Sequence, residues 1–267
     1  MVAGRIKQIR KLCPHIIFVG LSFLSFAAVS AQEPVKPSDD LATALELLKK
    51  WDTSGAAKLL KAVTKKDQTN LVAWHWLGIA NERLAKLDDA RKAHEKAALL
   101  GEALLISQLG LISNENLEVL ARIKPEIALA TESAEAYIRL SGKFSVFGPN
   151  EWDERRELLH DYVDELISIG LTIYKSQDVT DRARILDKPE PSYTEAAKQH
   201  DVEGKVVLSA ILASDGTVKA IYPLKRLPYG LTAQAISAGR SIKFIPGTKD
   251  GRPVSVWVQL EYKFNLY

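Results

Sequence analysis

From Val254 to Phe264 every second side chain is apolar. Val254, Val256, Val258, Leu260, Tyr262 and Phe264 share one face, and Ser255, Trp257, Gln259, Glu261 and Lys263 share the other. A period of two over eleven residues predicts a β-strand with one buried and one wet face. At about 3.3 Å per residue it spans roughly 36 Å, long for a strand in a small domain. Coming last, it is expected at a sheet edge, where unpaired backbone groups accept another chain's strand. Trp257 is either a contact residue on that polar face or packs beneath a helix or loop.

The net charge of +3 comes from the start of the chain. Residues 1–31 hold Arg5, Lys7, Arg10 and Lys11 and no acid; without them 32 basic residues stand against 33 acidic ones. The body is therefore near neutral and carries no nucleic-acid footprint. The basic start, the apolar run Ile16–Val29 and the small residues Val29-Ser30-Ala31 read as a signal peptide at 1–31, cleaved after Ala31. The run is shorter than the roughly 20 residues a spanning helix needs. Cleavage leaves an exported protein; retention makes the segment a membrane anchor. The one cysteine, Cys13, precedes the apolar run, so the cleaved chain has no disulfide, thiol or cysteine metal site.

Residues 32–176 read as helical. Ser38, Asp39 and Asp40 offer N-caps to a helix with Leu41, Leu45 and Leu48, and Ser54 to one with Leu59, Leu60 and Val63. A third helix runs from Leu71 to Leu84, and a fourth opens at Asp88 and carries Ala90, Ala93, Ala97 and Leu100. The pattern returns after 34 residues: Ala44 maps to Gly78, Ala56 to Ala90 and Val63 to Ala97. Small residues at this period let paired helices approach, and residues 37–100 resemble the tetratricopeptide repeat. Trp74, Leu77, Gly78, Ala90 and Ala97 stand at that family's positions; Asn81 and His94 depart from it, where aromatics are preferred. Further helices are expected over Glu102–Leu111, Glu115–Arg122, Glu126–Leu140 and, after the Gly148-Pro149 break, from Asn150 to Gly170, completing the array.

Residues 177–187 read as a charged connector. Beyond it, Pro189 and Pro191 forbid helix. A short helix over Tyr193–Gln199 is capped by Ser192 or Thr194, and strands at Lys205–Ala213 and Val218–Leu224 flank the turn Ser214-Asp215-Gly216-Thr217. A helix from Leu231 to Ile242, turns at Pro246-Gly247 and Asp250-Gly251, and the closing strand follow. The chain is thus α+β overall: an all-α array, then a small domain of helix, hairpin, helix and C-terminal strand.

That order resembles the C-terminal domain of the TonB family over 188–267. The matching residues are Pro191, Tyr193 and Ala196; Val202-Glu203-Gly204-Lys205-Val206; Asp215-Gly216-Thr217-Val218; Gly230-Leu231; Ala235-Ile236; Phe244 and Pro246; Asp250-Gly251; Pro253-Val254; and Tyr262 with Phe264. Thr194 departs from the pattern, which often has proline there. The resemblance implies a periplasmic domain whose closing strand takes up an extended segment of an outer-membrane receptor by strand addition. The implied partner-binding residues are Val254, Val256, Trp257, Val258, Gln259, Leu260, Glu261, Tyr262, Lys263 and Phe264. It also implies a possible homodimer through paired edges, and the helical array offers a site to a second, unidentified protein.

A TonB energy transducer has a histidine four residues after a serine in its membrane helix, and a long Pro-rich spacer. Here Phe26 follows Ser22 and Val29 follows Ser25 at that spacing, and no such spacer is present. Force transmission by this chain alone is not expected; a membrane-anchored transducer and a scaffold subunit of an envelope assembly enzyme are the rival readings. His75, His94, His160 and His200 form no His-Glu-x-x-His pattern, and there is no nucleophile elbow or phosphate-cradling glycine loop. Asp153/Glu154 and Asp164/Glu165 are expected on solvated helix faces. The sequence points to no catalytic set, no metal and no cofactor: a protein-interaction module, not an enzyme.

Overall fold

A computed structural model describes residues 39–109, 117–142, 151–169 and 172–266. The targeting segment, the Gly148-Pro149 break and Tyr267 lie outside the described residues. Six helices come first: α1 (Asp39–Lys49), α2 (Thr53–Lys66), α3 (Leu71–Arg83), α4 (Leu87–Leu109), α5 (Leu117–Ser141) and α6 (Glu151–Ile169). Each packs on the next in sequence. No helix among the described residues is long and apolar enough to cross a membrane.

Local chemistry sets these helices. Asp52, not the expected Ser54, caps α2 by accepting the Gly55 N–H at 2.9 Å, and Asn70 caps α3 through the Ala73 N–H. Two expected breaks do not occur. Helix α4 continues through Gly101 to Leu109, because Gly101 is a crossing point: a Cβ there would lie 2.1 Å from the Ala130 Cβ of α5. Helix α5 runs through Pro125, which is exposed, so the carbonyl that loses its helical donor can turn to water. The separate helices expected at 102–111, 115–122 and 126–140 are thus two long ones.

His75 (α3) and His94 (α4) are buried, with ring centroids 6.1 Å apart. His75 Nδ1 lies 2.9 Å from Ser133 Oγ, and His94 Nε2 lies 2.9 Å from Glu82 Oε1, whose other oxygen accepts from Arg139 at 2.7 Å. Burial, then repulsion from His94, pulls His75 down to about 4. Burial also lowers His94, against the attraction of Glu82. A depressed histidine costs nothing above its unfolded value of about 6.5. Between that pH and about 4 the unfolded chain takes up a proton that the folded chain refuses, so stability falls with pH. Urea titrations should show roughly 2–3 kcal/mol lost from pH 7.5 to pH 4.5, and His75→Gln should flatten that slope.

The rest of the chain builds a sheet: β1 (Ile173–Lys175), β2 (Arg184–Asp187), α7 (Glu195–Gln199), β3 (Gly204–Leu212), β4 (Val218–Lys225), α8 (Leu231–Arg240), β5 (Lys243–Ile245), β6 (Gly247–Lys249) and β7 (Arg252–Phe264). The main sheet has the order β1-β7-β3-β4, with β6 also on β7, while β2 and β5 form a separate pair. The β3–β4 turn is as expected: Gly216 takes φ +83° and Asp215 accepts from the Thr217 N–H at 3.0 Å. Thr194 caps α7 through the Ala197 N–H. Strand β2 lies in the stretch read as a connector.

The sheet is covered on both sides. Leu208, Leu260, Tyr262 and Phe264 join Leu231, Ala235 and Ile236 of α8 in one buried cluster. On the other face Ile211, Tyr222 and Ile173 share a core with Leu105, Ile127, Leu159, Tyr162 and Leu166 of α4–α6. Tyr162 meets Tyr222 edge-on with centroids 5.0 Å apart. Helices and sheet are also tied by charge. Arg226, just after β4, donates from Nε to Glu102 of α4 (2.8 Å) and from an Nη to Glu154 of α6 (2.7 Å). Arg155 of α6 grips the other Glu102 oxygen. Glu154, expected on a solvated face, is instead largely buried, its side chain 16% exposed; burial raises its pKa despite the nearby Arg226.

Candidate functional site

The closing strand is not a free edge along its whole length. One flank pairs antiparallel with β3 in unbroken register from Gly204↔Phe264 to Leu212↔Val256. The other flank is occupied at its start, where β1 runs parallel to Ser255, Val256 and Trp257; residues 252–254, ahead of these, pair with β6. From Val258 to Phe264 no strand of the described residues covers that flank.

Of the predicted contact residues, Val254, Val256 and Trp257 therefore lie under β6 and β1. Trp257 is half-buried against the core shared with α4–α6. The packing alternative holds for it. Val258 is half-buried, and Leu260, Tyr262 and Phe264 are buried beneath the sheet with α8. Gln259, Glu261 and Lys263 have exposed side chains on the opposite face. Expecting the whole strand at the edge overlooked β1, a three-residue strand too short to show a period.

Lys188 was also missed. Its Nζ donates to the Glu261 carbonyl at 2.6 Å and sits 4.5 Å from the Tyr262 ring centroid. The Glu261 carbonyl thus points away from β3. Since N–H and C=O of one residue turn to the same side of an antiparallel ladder, Gln259, Glu261 and Lys263 offer outward donors and acceptors. Lys205 on β3 pairs with the Glu261 carboxylate at 2.8 Å and holds it below the usual carboxylate range. Burial pushes the Tyr262 phenol up to about 12, so it stays neutral beneath the lysine.

This is an open strand edge guarded by one movable cation. Lys188 occupies one outward acceptor, the Glu261 carbonyl, and lysine at an edge discourages indiscriminate pairing. Breaking one exposed charge-assisted bond costs about 1 kcal/mol. Lys188→Ala should therefore tighten binding of an extended partner about fivefold, read by titration calorimetry.

Residues 189–266 match the family model for the Gram-negative bacterial TonB protein C-terminal. Over these residues the chain is similar to the TonB C-terminal family. The match takes in β3, β4, α8 and β7, and leaves the six helices outside it. In TonB family proteins this domain binds outer-membrane receptors. Five solved chains also match. One is the solution NMR structure of the Pseudomonas aeruginosa TonB CTD, 23% identical, covering 33% of this chain and 88% of that one with a TM-score of 0.28. No curated protein matches. The matched domain is flanked on one sheet face by α4–α6, whose core it shares.

Proposed function

We propose that the chain is a periplasmic interaction module. Its TonB domain captures an extended segment of an outer-membrane receptor, or of another envelope protein, by strand addition along residues 258–264, and its helical array serves a second protein. The observation that carries this reading is the unpaired outer flank of β7, with Gln259, Glu261 and Lys263 turning backbone groups outward beside Lys188. A strand laid there meets hydrogen-bonding groups already in register, which is how strand addition gains affinity. The match to the family model supports a receptor as the partner.

The test is photo-crosslinking in cells from a reactive residue at position 259, whose side chain is exposed, with position 257 as the shielded comparison. Capture of a receptor segment from 259 and little from 257 is the expected result. Capture of a second copy from 259 would replace the receptor by a homodimer. Silence at 259 beside strong capture elsewhere on the surface would overturn the edge reading.

A further inference from the structure

A second recess lies in the helical array, between α2, α3 and α4, with a volume of about 510 Å³. Its floor is apolar: Leu77 is buried, and Trp74 and Leu84 are partly so. Trp74 is held by its indole N–H, which donates to the Gln68 carbonyl at 3.0 Å. Lys58 and Lys61 from α2 stand on one side, and Lys86 and Lys92 at the start of α4 on the other, against Asp89 as the acid in the lining. All four lysines are exposed, and none of their ammonium groups has an ion pair or hydrogen bond among the described residues. Between them sits Asn81, 8% exposed, whose side-chain amide makes no hydrogen bond among the described residues although it lines the recess.

The amide opens into the recess, where a ligand can reach it. It offers two donors and one acceptor, the complement of a peptide group's C=O and N–H. The unpaired cations ask for carboxylates, and the apolar floor asks for an aliphatic or aromatic side chain. A lipid surface cannot reach a recessed amide, and a bare polyanion leaves the floor unfilled. We infer that this recess binds an acidic polypeptide segment, which seats an apolar side chain on Trp74 and Leu77, its backbone on Asn81, and its carboxylates on the lysines. This rests on the second-partner half of the proposed function and gives that partner a chemistry.

The probe is a fluorescein-labelled peptide alternating aspartate or glutamate with leucine, titrated with the full chain by fluorescence anisotropy. Binding should weaken with salt, and the double charge reversal K58E/K61E should weaken it about tenfold or more. Those positions are exposed, so the variant should keep its Tm. Asn81→Leu should weaken binding about tenfold; if that variant does not fold, the lysine pair carries the test. Gln259→Pro should leave this affinity unchanged, which separates failure here from failure at the strand edge. The inference is overturned if the amide counterpart of the peptide (Asn and Gln for Asp and Glu) binds as tightly. Equal binding of leucine-free polyglutamate or of anionic phosphatidylglycerol vesicles overturns it too, as does unchanged binding to K58E/K61E.

Discussion

Arg226→Ala should cost about 3–5 kcal/mol and lower the unfolding midpoint of the whole chain. The guanidinium is 12% exposed and holds Glu102 and Glu154 on two different helices from the end of β4. Removing it strands the largely buried Glu154 and leaves Glu102 with Arg155 alone. The large effect measures the isolated charge left behind, not the net worth of the network, because desolvating all its members already offsets much of the attraction. Glu102→Gln/Arg226→Met, which removes charge from both sides, should therefore be less destabilising than Arg226→Ala alone. Differential scanning calorimetry of the three proteins checks the order. If Arg226→Ala unfolds at the wild-type temperature, the bridge between helices and sheet contributes nothing.

This network also shows where a linear reading stops. Glu154 follows Asp153 on a helix full of acids and looks solvated; its partner lies 72 residues away, and only the folded sheet brings Arg226 to it. Features carried by local period were legible. The alternation of β7, the Asp215-Gly216 turn and the Thr194 cap are each decided within a few residues, and the structure has all three. Gly101 misled because a glycine is what the crossing of α4 on α5 requires, and Pro125 because its exposed place on α5 lets the freed carbonyl turn to water. Strands β1, β2, β5 and β6 have three or four residues each, too few for a period; β1 and β6 form on the long β7, and β2 and β5 pair with each other across nearly sixty residues of chain. At the open edge of β7 the strand and its wet face were readable. Which part of it is free depended on β1, and which cation guards it depended on Lys188, both set by tertiary contact.

Gln259→Pro should abolish capture of an extended partner, weakening it at least about a hundredfold, while the domain stays folded. The residue pairs with Ser209, and its N–H turns outward by the alternation that the Lys188–Glu261 bond establishes. Proline there removes a donor that β3 does not use and puts its ring in the path of an incoming strand, a substitution edge strands tolerate. Leu260→Pro is the matched opposite. Its N–H turns towards β3 and its side chain is buried, so it should unfold the domain. Simple truncation cannot replace this pair, since removing residues 254–267 also removes Val256, Leu260, Tyr262 and Phe264 from the core. The measurement is titration calorimetry with a receptor-derived extended peptide, alongside circular dichroism of both variants. A folded Gln259→Pro protein that binds as tightly as wild type would move the docking site off β7. A folded protein that has lost binding, beside an unfolded Leu260→Pro, ties capture to the outward backbone groups of residues 258–264 and not to the integrity of the sheet.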